Sequence, residues 1–197
     1  MSPKDVLGFW FGDVRADAAD DEHRARWWKK DPEFDAEIRT RFGALHHAIC
    51  HGAHRDWLRE PSGVVAYVLV LDQFSRNLGR DSAGMFCADA LALHVVLNAI
   101  DSGMDRAVPI DQRLFLYMPL MHAEDRAVQD RCVSIFERFA NELPEPHASR
   151  IRENVGYAER HRAIVDRFGR FPHRNALLGR PTTAEEETFL KEPGSSF

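Results

Sequence analysis

The chain has 197 residues, of which 44% are hydrophobic and 29% are charged. This length and balance are typical of one soluble globular domain with its own core, and they exclude a disordered chain or a fibre. The formal net charge of −5 argues against general binding of nucleic acid, because nucleic-acid-binding proteins usually carry an excess of positive charge.

Hydrophobic spacing predicts helices along nearly the whole chain. The predicted elements are, in chain order, a short helix capped by Ser2 and ending near Gly12, an acidic loop over Asp13–Glu22, helices over Phe34–Trp57, Val64–Asn77, Met85–Ser102, Asp111–Glu124, Val128–Phe139 and Ile151–Phe168, an irregular segment Gly169–Gly179, and a short C-terminal helix. Pro119 should kink or split its helix, because proline removes a backbone donor. Thr183 and Glu186 form a capping box before the last helix.

The segment Val64–Asn77 fits two kinds of secondary structure. Its valines favour a strand, whereas its length and the helix start at Pro61 favour a buried helix, which we take as the prediction. No stretch is long enough for a domain linker, and no fixed repeat is found. The sequence therefore predicts a single all-α domain over residues 1–197, with about seven helices and no confident strand.

Signals for export or membrane insertion are missing from the sequence. Met1–Phe11 contain Lys4 as their only cation and lack the apolar core of a secretory signal. The longest apolar run, Val64–Leu71, is much shorter than the about 20 residues of a membrane helix. The three cysteines are odd in number and far apart, which argues against a disulfide framework and indicates a reducing compartment. We therefore expect a cytoplasmic protein with no membrane partner.

The motifs of several common enzyme classes are also missing. The sequence has no Gly-x-x-x-x-Gly-Lys phosphate loop, no dinucleotide-binding glycine pattern, no Gly-x-Ser-x-Gly turn and no His-Glu-x-x-His zinc motif. Local motifs therefore give no support to a nucleotide-binding enzyme, a serine hydrolase or a zinc protease.

Histidines cluster near the end of the predicted helix Phe34–Trp57. His47, His51 and His54 stand at i, i+4 and i+7, so a helix would place them on one face, close enough to share a metal ion. That face is opposite to the apolar stripe of the same helix and should be solvated. We therefore interpret the cluster as a solvent-exposed histidine face and predict no metal site.

A buried ion pair is predicted in the middle of the chain. Asp72 projects among the apolar residues of its helix, and Arg76 follows one turn later. A buried carboxylate must be paired, since burying it alone costs several kcal/mol. The pair could be purely structural, or Asp72 could orient Arg76 or a histidine toward a ligand.

Arginines concentrate near the C-terminus. From Arg160 to Arg180 there are six arginines and one acid, a local charge of +5 that leaves −10 for the rest of the chain. Their alternation with Phe168 and Phe171 suggests a fixed loop that presents guanidinium groups, which bind carboxylate or phosphate in bidentate fashion. His161, on the inward face of the preceding helix, should lie beside this loop. The alternative is that these arginines form ion pairs with the acidic remainder.

Two further residues are functional candidates. His122, beyond Pro119, could be a general acid–base or a ligand, but a histidine at a helix C-terminus also interacts favourably with the helix dipole. Trp28 adjoins Trp27, and adjacent residues on a helix point in different directions, so one of the two could line a groove. Exposed tryptophan also leaves room for a homodimer.

Five segments of the chain, taken together, resemble a known family. They are VLGFWFG at 6–12, RWW at 26–28, LDQFSRN at 71–77, FLYMPLMHAE at 115–124 and RFGRFPHRN at 167–175. In this order, and over nearly the whole chain, they resemble the bacterial family known as domain of unknown function 924. The resemblance implies a fold similar to tetratricopeptide repeats, a right-handed array of antiparallel helix pairs, and it supports a helix over Val64–Asn77. It supplies no activity.

The chain departs from the family pattern at two positions. Ser75 stands where the family tends to have proline, and Trp28 stands where it tends to have phenylalanine. The histidines at 46–54 are not part of the pattern, which weakens the case for a metal site there.

Three functions are compatible with these residues. The first is a binding protein for a small anionic ligand bearing phosphate or carboxylate, or for an acidic peptide, in a cleft lined by arginine and histidine. The second is a hydrolase or lyase for a small anionic metabolite, with Asp72 orienting His122, His161 or His173 as general acid–base. The third is a structural scaffold with internal ion pairs and no ligand. No cofactor is predicted, although a divalent metal could serve the enzyme.

The two site hypotheses require the arginine-rich segment to fold over Asp72 and enclose a hollow. The residues expected to bind the ligand there are Arg76, Asn77, Arg167, Arg170, His173, Arg174, Asn175 and Trp28.

Overall fold

The computed structural model describes residues 1–14 and 17–196. Its α-helices are α1 (Pro3–Phe11), α2 (Asp21–Arg26), α3 (Pro32–Cys50), α4 (Pro61–Leu69), α5 (Ser75–Leu78), α6 (Asp89–Asp101), α7 (Ile110–Met121), α8 (Arg126–Glu142), α9 (His147–Phe168) and α10 (Ala184–Phe189). A π-helical turn over Val70–Phe74 joins α4 to α5, and 3-10 turns cover Arg55–Arg59, Ala83–Phe86, Met104–Ala107 and Pro172–Arg174. The described residues form no strand, which confirms the all-α prediction, although the helices are more numerous than predicted.

The N-terminal helix has the predicted start and end. The Asp5 carboxylate accepts a hydrogen bond from the Ser2 backbone N–H at 2.7 Å, which caps α1. Gly12 ends the helix with a φ of 61°. The predicted loop after it is shorter than expected, because Asp20 caps α2 and accepts from the His23 N–H at 2.9 Å. Residues 15–16 of that predicted loop lie outside the described residues.

The third helix ends earlier than the predicted Trp57. α3 ends at Cys50, because Gly52 has a φ of 83° and His54 a φ of 58°, and no α-helix continues through left-handed residues. The chain then makes the 3-10 turn Arg55–Arg59. Gly63 lets α4 pack closely on this turn, since a Cβ there would lie 2.1 Å from the Trp57 carbonyl oxygen. The break produces the loop that borders the cavity described below.

The helix predicted over Val64–Asn77 is confirmed. It is formed by α4, the π turn and α5 in unbroken succession. The π turn itself was not predicted, and it carries Asp72 and Gln73. Such turns hold one more residue than an α-helical turn and are frequent at functional sites.

Three of the predicted helices begin or end at other residues in the structure. α6 begins at Asp89, after a 3-10 turn, and α7 ends at Met121 with Pro119 inside it rather than splitting it. His122 therefore follows a helix instead of lying in one. α9 begins at His147, directly after Pro146.

In the last part of the chain the observed helix starts agree more closely with those predicted from the sequence. The predicted capping box of Thr183 and Glu186 is confirmed at the start of α10. α8 begins after Asp125, whose carboxylate accepts from the Val128 N–H at 2.9 Å.

Residue contacts divide the chain into two compact units. The first comprises Met1–Arg80 with Gly84–Pro119, and the second comprises Asp81–Ala83 with the residues from Leu120 onward. In the first unit α1 packs on α4, α3 on the π turn and α5, and α4 on α6. Its core is aromatic: the ring centroid of Phe42 lies 4.8 Å from that of Phe9 and 4.9 Å from that of Phe74.

In the second unit α8 packs along α9. The connection over 143–146 is too short for a parallel return, so the two helices are antiparallel. Ile164, Val165 and Phe171 form a buried cluster against Phe168 and Phe189, which ties α9, the following segment and α10 together. The single domain and the right-handed tetratricopeptide-like array remain predictions.

One stretch of the described chain, Ala83–Asp101, is long and apolar enough to span a membrane by length and composition alone. It consists of a 3-10 turn, a break and α6, which has 13 residues. A membrane helix needs about 20. Ala92, Val96 and Ala99 of α6 are buried in the core.

Candidate functional site

In the first unit Asp72 and Arg76 form the predicted ion pair. Asp72 is fully buried on the π turn, and its Oδ1 lies 3.1 Å from Nη1 of Arg76. Arg76 also binds Asp89 at the start of α6, at 3.0 Å and 3.3 Å. Gln73 donates to the second oxygen of Asp72 at 2.7 Å. Two carboxylates thus neutralise Arg76, which favours the structural interpretation of this pair.

Two other predicted ligand-binding residues lie in the first unit. The Asn77 amide donates to Asp35 on α3 at 2.8 Å, so it links α5 to α3. Trp28 is 64% exposed and stacks on the Phe115 ring, with centroids 5.6 Å apart and planes 10° apart. Trp28 is the member of the tryptophan pair that faces solvent.

In the second unit the arginines of the predicted site are bound to glutamates of the same unit. Arg170 holds Glu186 of α10 in a bidentate pair at 2.7 Å and 2.8 Å. Asn175 is buried, and its amide donates to the same carboxylate at 3.3 Å. Arg167 pairs with Glu185 at the surface, at 2.9 Å. These contacts are those of the ion-pair alternative.

Glu124 is a residue whose partners the sequence did not predict. It accepts two hydrogen bonds from Arg180, at 2.6 Å and 2.9 Å, and one from the Phe171 N–H at 2.7 Å. Burial opposes ionisation of this carboxyl, but the hydrogen bonds from Arg180 and Phe171 outweigh it and hold the pKa of Glu124 below its ordinary value. Glu124 thereby fixes the arginine-rich segment in place.

Histidines gather around Arg174, as predicted for His161. The His161 ring is 5% exposed. Burial, followed by the electrostatic effects of His122 and Arg174, lowers the pKa of His161 to about 3. Burial and the Arg174 guanidinium likewise lower the pKa of His173 to about 4. Both rings are therefore neutral at physiological pH and are weak bases, which does not favour a general-base role for His161.

The predicted site residues thus fall in both compact units. Asp72 and Arg76 belong to the first, and the arginine-rich segment with His122 and His161 belongs to the second. A common cleft formed by these two groups remains a prediction.

The histidine cluster does not form the predicted single face. The rings of His47 and His51 lie 4.2 Å apart, but His54 follows the break at Gly52 and packs near Trp57 instead. His46 points inward to Ser75. Within the described part of the chain, no group of three or more His, Cys, Asp or Glu side chains is placed to hold a metal ion.

A cavity of about 620 Å³ lies in the first unit, bordered by the end of α3, the loop after it, α4 and α6. We call it the α3–α4–α6 cavity. It is lined by Cys50, His51, Gly52, Arg55, Leu58, Val64, Tyr67, Leu91, His94, Val95, Asn98, Ala99, Ser102 and Met104. Its apolar members include buried Val64, Val95 and Ala99, whereas the exposed members of the lining are the polar residues His51, Arg55, His94, Asn98 and Ser102. The cavity therefore has an apolar floor and a polar mouth.

The hydrogen bonds around the cavity fix its walls. The Tyr67 hydroxyl lies 3.3 Å and 3.2 Å from the carbonyls of Ile49 and Ala53, to which it donates, and so anchors the loop after α3. Burial raises the pKa of Tyr67, so the hydroxyl keeps its proton. On α6 the Asn98 amide lies 3.0 Å from Nε2 of His94, which must accept because the amide nitrogen can only donate.

Arg55 stands at the mouth of this cavity. It is exposed and lies within electrostatic range of the Tyr67 hydroxyl. Among residues 1–14 and 17–196 it forms no ion pair with a carboxylate. No acidic side chain lines the described cavity. Arg55 thus differs from Arg76 and Arg170, whose charges are neutralised by internal carboxylates.

Sequence reasoning missed this cavity because it treated Phe34–Trp57 as one helix. A continuous helix would have kept His51 and Arg55 on a solvated surface. The signal that could have shown the break is Gly52, a residue that often ends helices by adopting positive φ. The approach of α6 to this loop depends on tertiary packing and has no local sequence signal.

Comparisons with known proteins place the chain in a family. Residues 6–194 match the family model of bacterial proteins of unknown function, DUF924. A solved structure of a protein of unknown function from Agrobacterium tumefaciens is 36% identical, superposes with a TM-score of 0.80, and is matched over 96% of each chain. The comparison with curated proteins found no match. The chain therefore belongs to the bacterial family of unknown function DUF924.

Proposed function

We propose that the chain binds a small monocarboxylic acid with an apolar body in the α3–α4–α6 cavity. The observation that carries this proposal is the position of Arg55, without a carboxylate partner among the described residues, at the mouth of a cavity with an apolar floor. The proposal keeps the function class predicted from the sequence, an anion held by arginine and histidine. It differs in the place of binding.

The volume and floor of the cavity support a ligand with an apolar body. Small-molecule pockets usually enclose about 300–1,000 Å³, and a volume of about 620 Å³ falls in this range. Val64, Val95 and Ala99 are buried at the floor, so ligand carbons there would leave water. Such burial contributes about 25 cal/mol per Å² of apolar surface.

The charge at the mouth supports one anionic group. Among the described residues that line the cavity, Arg55 alone carries a formal charge. A guanidinium group binds a carboxylate through two parallel hydrogen bonds. His51 and His94 at the same rim offer further hydrogen-bonding groups.

The helix ends around the cavity favour a single negative charge over two. Cys50 is the last residue of α3, and Ser102 follows the last residue of α6. The carbonyl ends of helices carry partial negative charge, which repels anions. One arginine beside two such ends suits a carboxylate better than a doubly charged phosphate group.

Calorimetric titration of the purified full chain with octanoate tests the proposal. Octanoate should bind, and octanamide should bind at least about tenfold more weakly, because it lacks a charge-assisted hydrogen bond worth about 1.5–3 kcal/mol. Inorganic phosphate should compete poorly with octanoate. Equal affinities for octanoate and octanamide would contradict the assigned role of Arg55.

Two arginines on the same 3-10 turn provide a matched pair of variants. Arg55→Gln should reduce octanoate affinity to that of octanamide, whereas Arg59→Gln, which is exposed and outside the cavity lining, should bind like the unchanged chain. Melting temperatures would show that both variants fold. Loss of binding in Arg174→Ala with normal binding in Arg55→Gln would place the anion in the arginine-rich segment and overturn the proposal.

A further inference from the structure

Two of the three cysteines meet in the first unit, although they are far apart in the sequence. The Cys50 thiol, at the end of α3, lies within electrostatic range of Cys87 in the turn before α6. All three cysteines are free thiols. Cys132 lies apart from this pair, buried in α8 of the second unit.

A histidine and a serine connect the two thiols. Nε2 of His46 lies 3.6 Å from Sγ of Cys50 and 2.7 Å from Oγ of Ser75. Oγ of Ser75 lies 4.0 Å from Sγ of Cys87. The four side chains thus form one continuous polar cluster where α3, α5 and the turn before α6 meet. Ser75 takes part in it at the position where the family tends to have proline.

The hydrogen bonds fix the proton on His46. Ser75 donates its hydroxyl proton to the Leu71 carbonyl at 2.6 Å, so Nε2 of His46 must donate to the Ser75 oxygen. Nδ1 is then an acceptor, and it lies 4.0 Å from Sγ of Cys50. Burial, and then the electrostatic effect of His47, lowers the pKa of His46, so the ring is neutral.

The two thiols differ in accessibility. Cys87 is exposed and lies within electrostatic range of the Arg76 guanidinium, which attracts negative charge on a sulfur atom. Cys50 is partly buried, and burial raises its pKa to about 11. An oxidant from solution therefore meets Cys87 first.

We propose that Cys50 and Cys87 form a redox-active pair that hydrogen peroxide oxidises to a disulfide. In the first step the Cys87 sulfur attacks one oxygen of hydrogen peroxide, the O–O bond breaks, and the departing hydroxide takes up the Cys87 proton, so that a sulfenic acid and water form. In the second step the Cys50 sulfur attacks the sulfenic sulfur, the S–O bond breaks, and the Cys50 proton passes by way of Nδ1 of His46 to the departing hydroxide, giving a second water. The two thiols lose two electrons, which reduce the peroxide.

Peptide mapping after oxidation tests this pair without any knowledge of the ligand. The reduced full chain is treated with one equivalent of hydrogen peroxide, alkylated and digested with trypsin without reductant. The expected product is one crosslinked peptide joining residues 42–55 to residues 81–106, with the Cys132 peptide still alkylated. Oxidation of Cys87 to sulfinic acid with no crosslink, or a crosslink between Cys87 residues of two chains, would overturn the proposal.

Single substitutions separate the two steps. Cys50→Ser should stop the reaction at the Cys87 sulfenic acid, which a cyclic dione reagent labels, whereas Cys87→Ser should give neither label nor crosslink. Cys132→Ser is the matched control and should crosslink like the unchanged chain. His46→Asn should still label at Cys87 but should form the crosslink at least about tenfold more slowly, as loss of general-base assistance predicts. An unchanged crosslinking rate in His46→Asn would remove His46 from the scheme.

Discussion

At the scale of single residues, the use of an arginine depends on what surrounds its guanidinium group. Arg170 donates two hydrogen bonds to the buried Glu186. Arg76 forms ion pairs with Asp72 and Asp89. These contacts hold elements together. Arg55 instead faces an apolar cavity with no described carboxylate beside it, which leaves its charge available to a ligand.

His161 gives a prediction about pH. Its pKa of about 3 in the folded chain lies below the ordinary value of 6.5, so the unfolded chain takes up the proton first as the pH falls. The stability contributed by the neutral, buried ring is complete above pH 6.5 and is lost progressively as the pH falls toward about 3. Between these two pKa values the free energy of unfolding should fall by about 1.4 kcal/mol per pH unit for each such histidine.

The measurement is urea unfolding between pH 6.5 and 5, a window in which histidines titrate ahead of most carboxylates. His161→Gln keeps a side-chain donor toward the Tyr157 carbonyl. In this variant the free energy of unfolding should depend less steeply on pH, by the contribution of about one proton taken up on unfolding. An unchanged slope in this variant would show that His161 is not buried in a neutral state.

At the scale of elements, the π turn depends on its ion pair. Arg76→Gln removes the partner of Asp72, whose carboxylate is fully buried, and breaking a buried pair in this way costs about 3–5 kcal/mol. Urea unfolding should therefore show that the free energy of unfolding falls by this amount. A loss of about 0–1 kcal/mol, the range for exposed pairs, would contradict the buried geometry.

The tie between Glu124 and the arginine-rich segment gives a second prediction at this scale. Arg180→Ala leaves the half-buried Glu124 with its hydrogen bond from the Phe171 N–H and should lower the free energy of unfolding by about 1–3 kcal/mol. Replacing both residues, as Arg180→Ala with Glu124→Gln, should cost less than the sum of the single changes. If sulfate restored the stability of Arg180→Ala beyond matched chloride, the segment would be an anion site and not a structural tie.

The sequence was informative about elements and less so about their ends. The caps of Ser2 and Thr183 and the long helix through Val64–Asn77 follow from local residue preferences, and the structure agrees with them. The early end of α3 and the π turn were missed, because a periodic apolar stripe does not show where a left-handed residue or an extra residue interrupts it. Gly52 was visible as a signal, but the π turn had none.

At the scale of the whole molecule, family membership and packing answer different questions. Membership of DUF924, with a solved relative at 36% identity, fixes the fold and assigns no reaction. The predicted site drew residues from both compact units, and single-sequence spacing cannot show which segments meet. The α3–α4–α6 cavity lies within one unit, so a site there does not require segments of the two units to meet.

The most direct test is a crystal structure of the protein grown with an alkyl carboxylate that carries a terminal bromine atom. We expect an anomalous peak for bromine among Val64, Val95 and Ala99, with the carboxylate in hydrogen-bond contact with Arg55. A peak beside Arg174, or fully ordered crystals in which the α3–α4–α6 cavity holds only water, would contradict it.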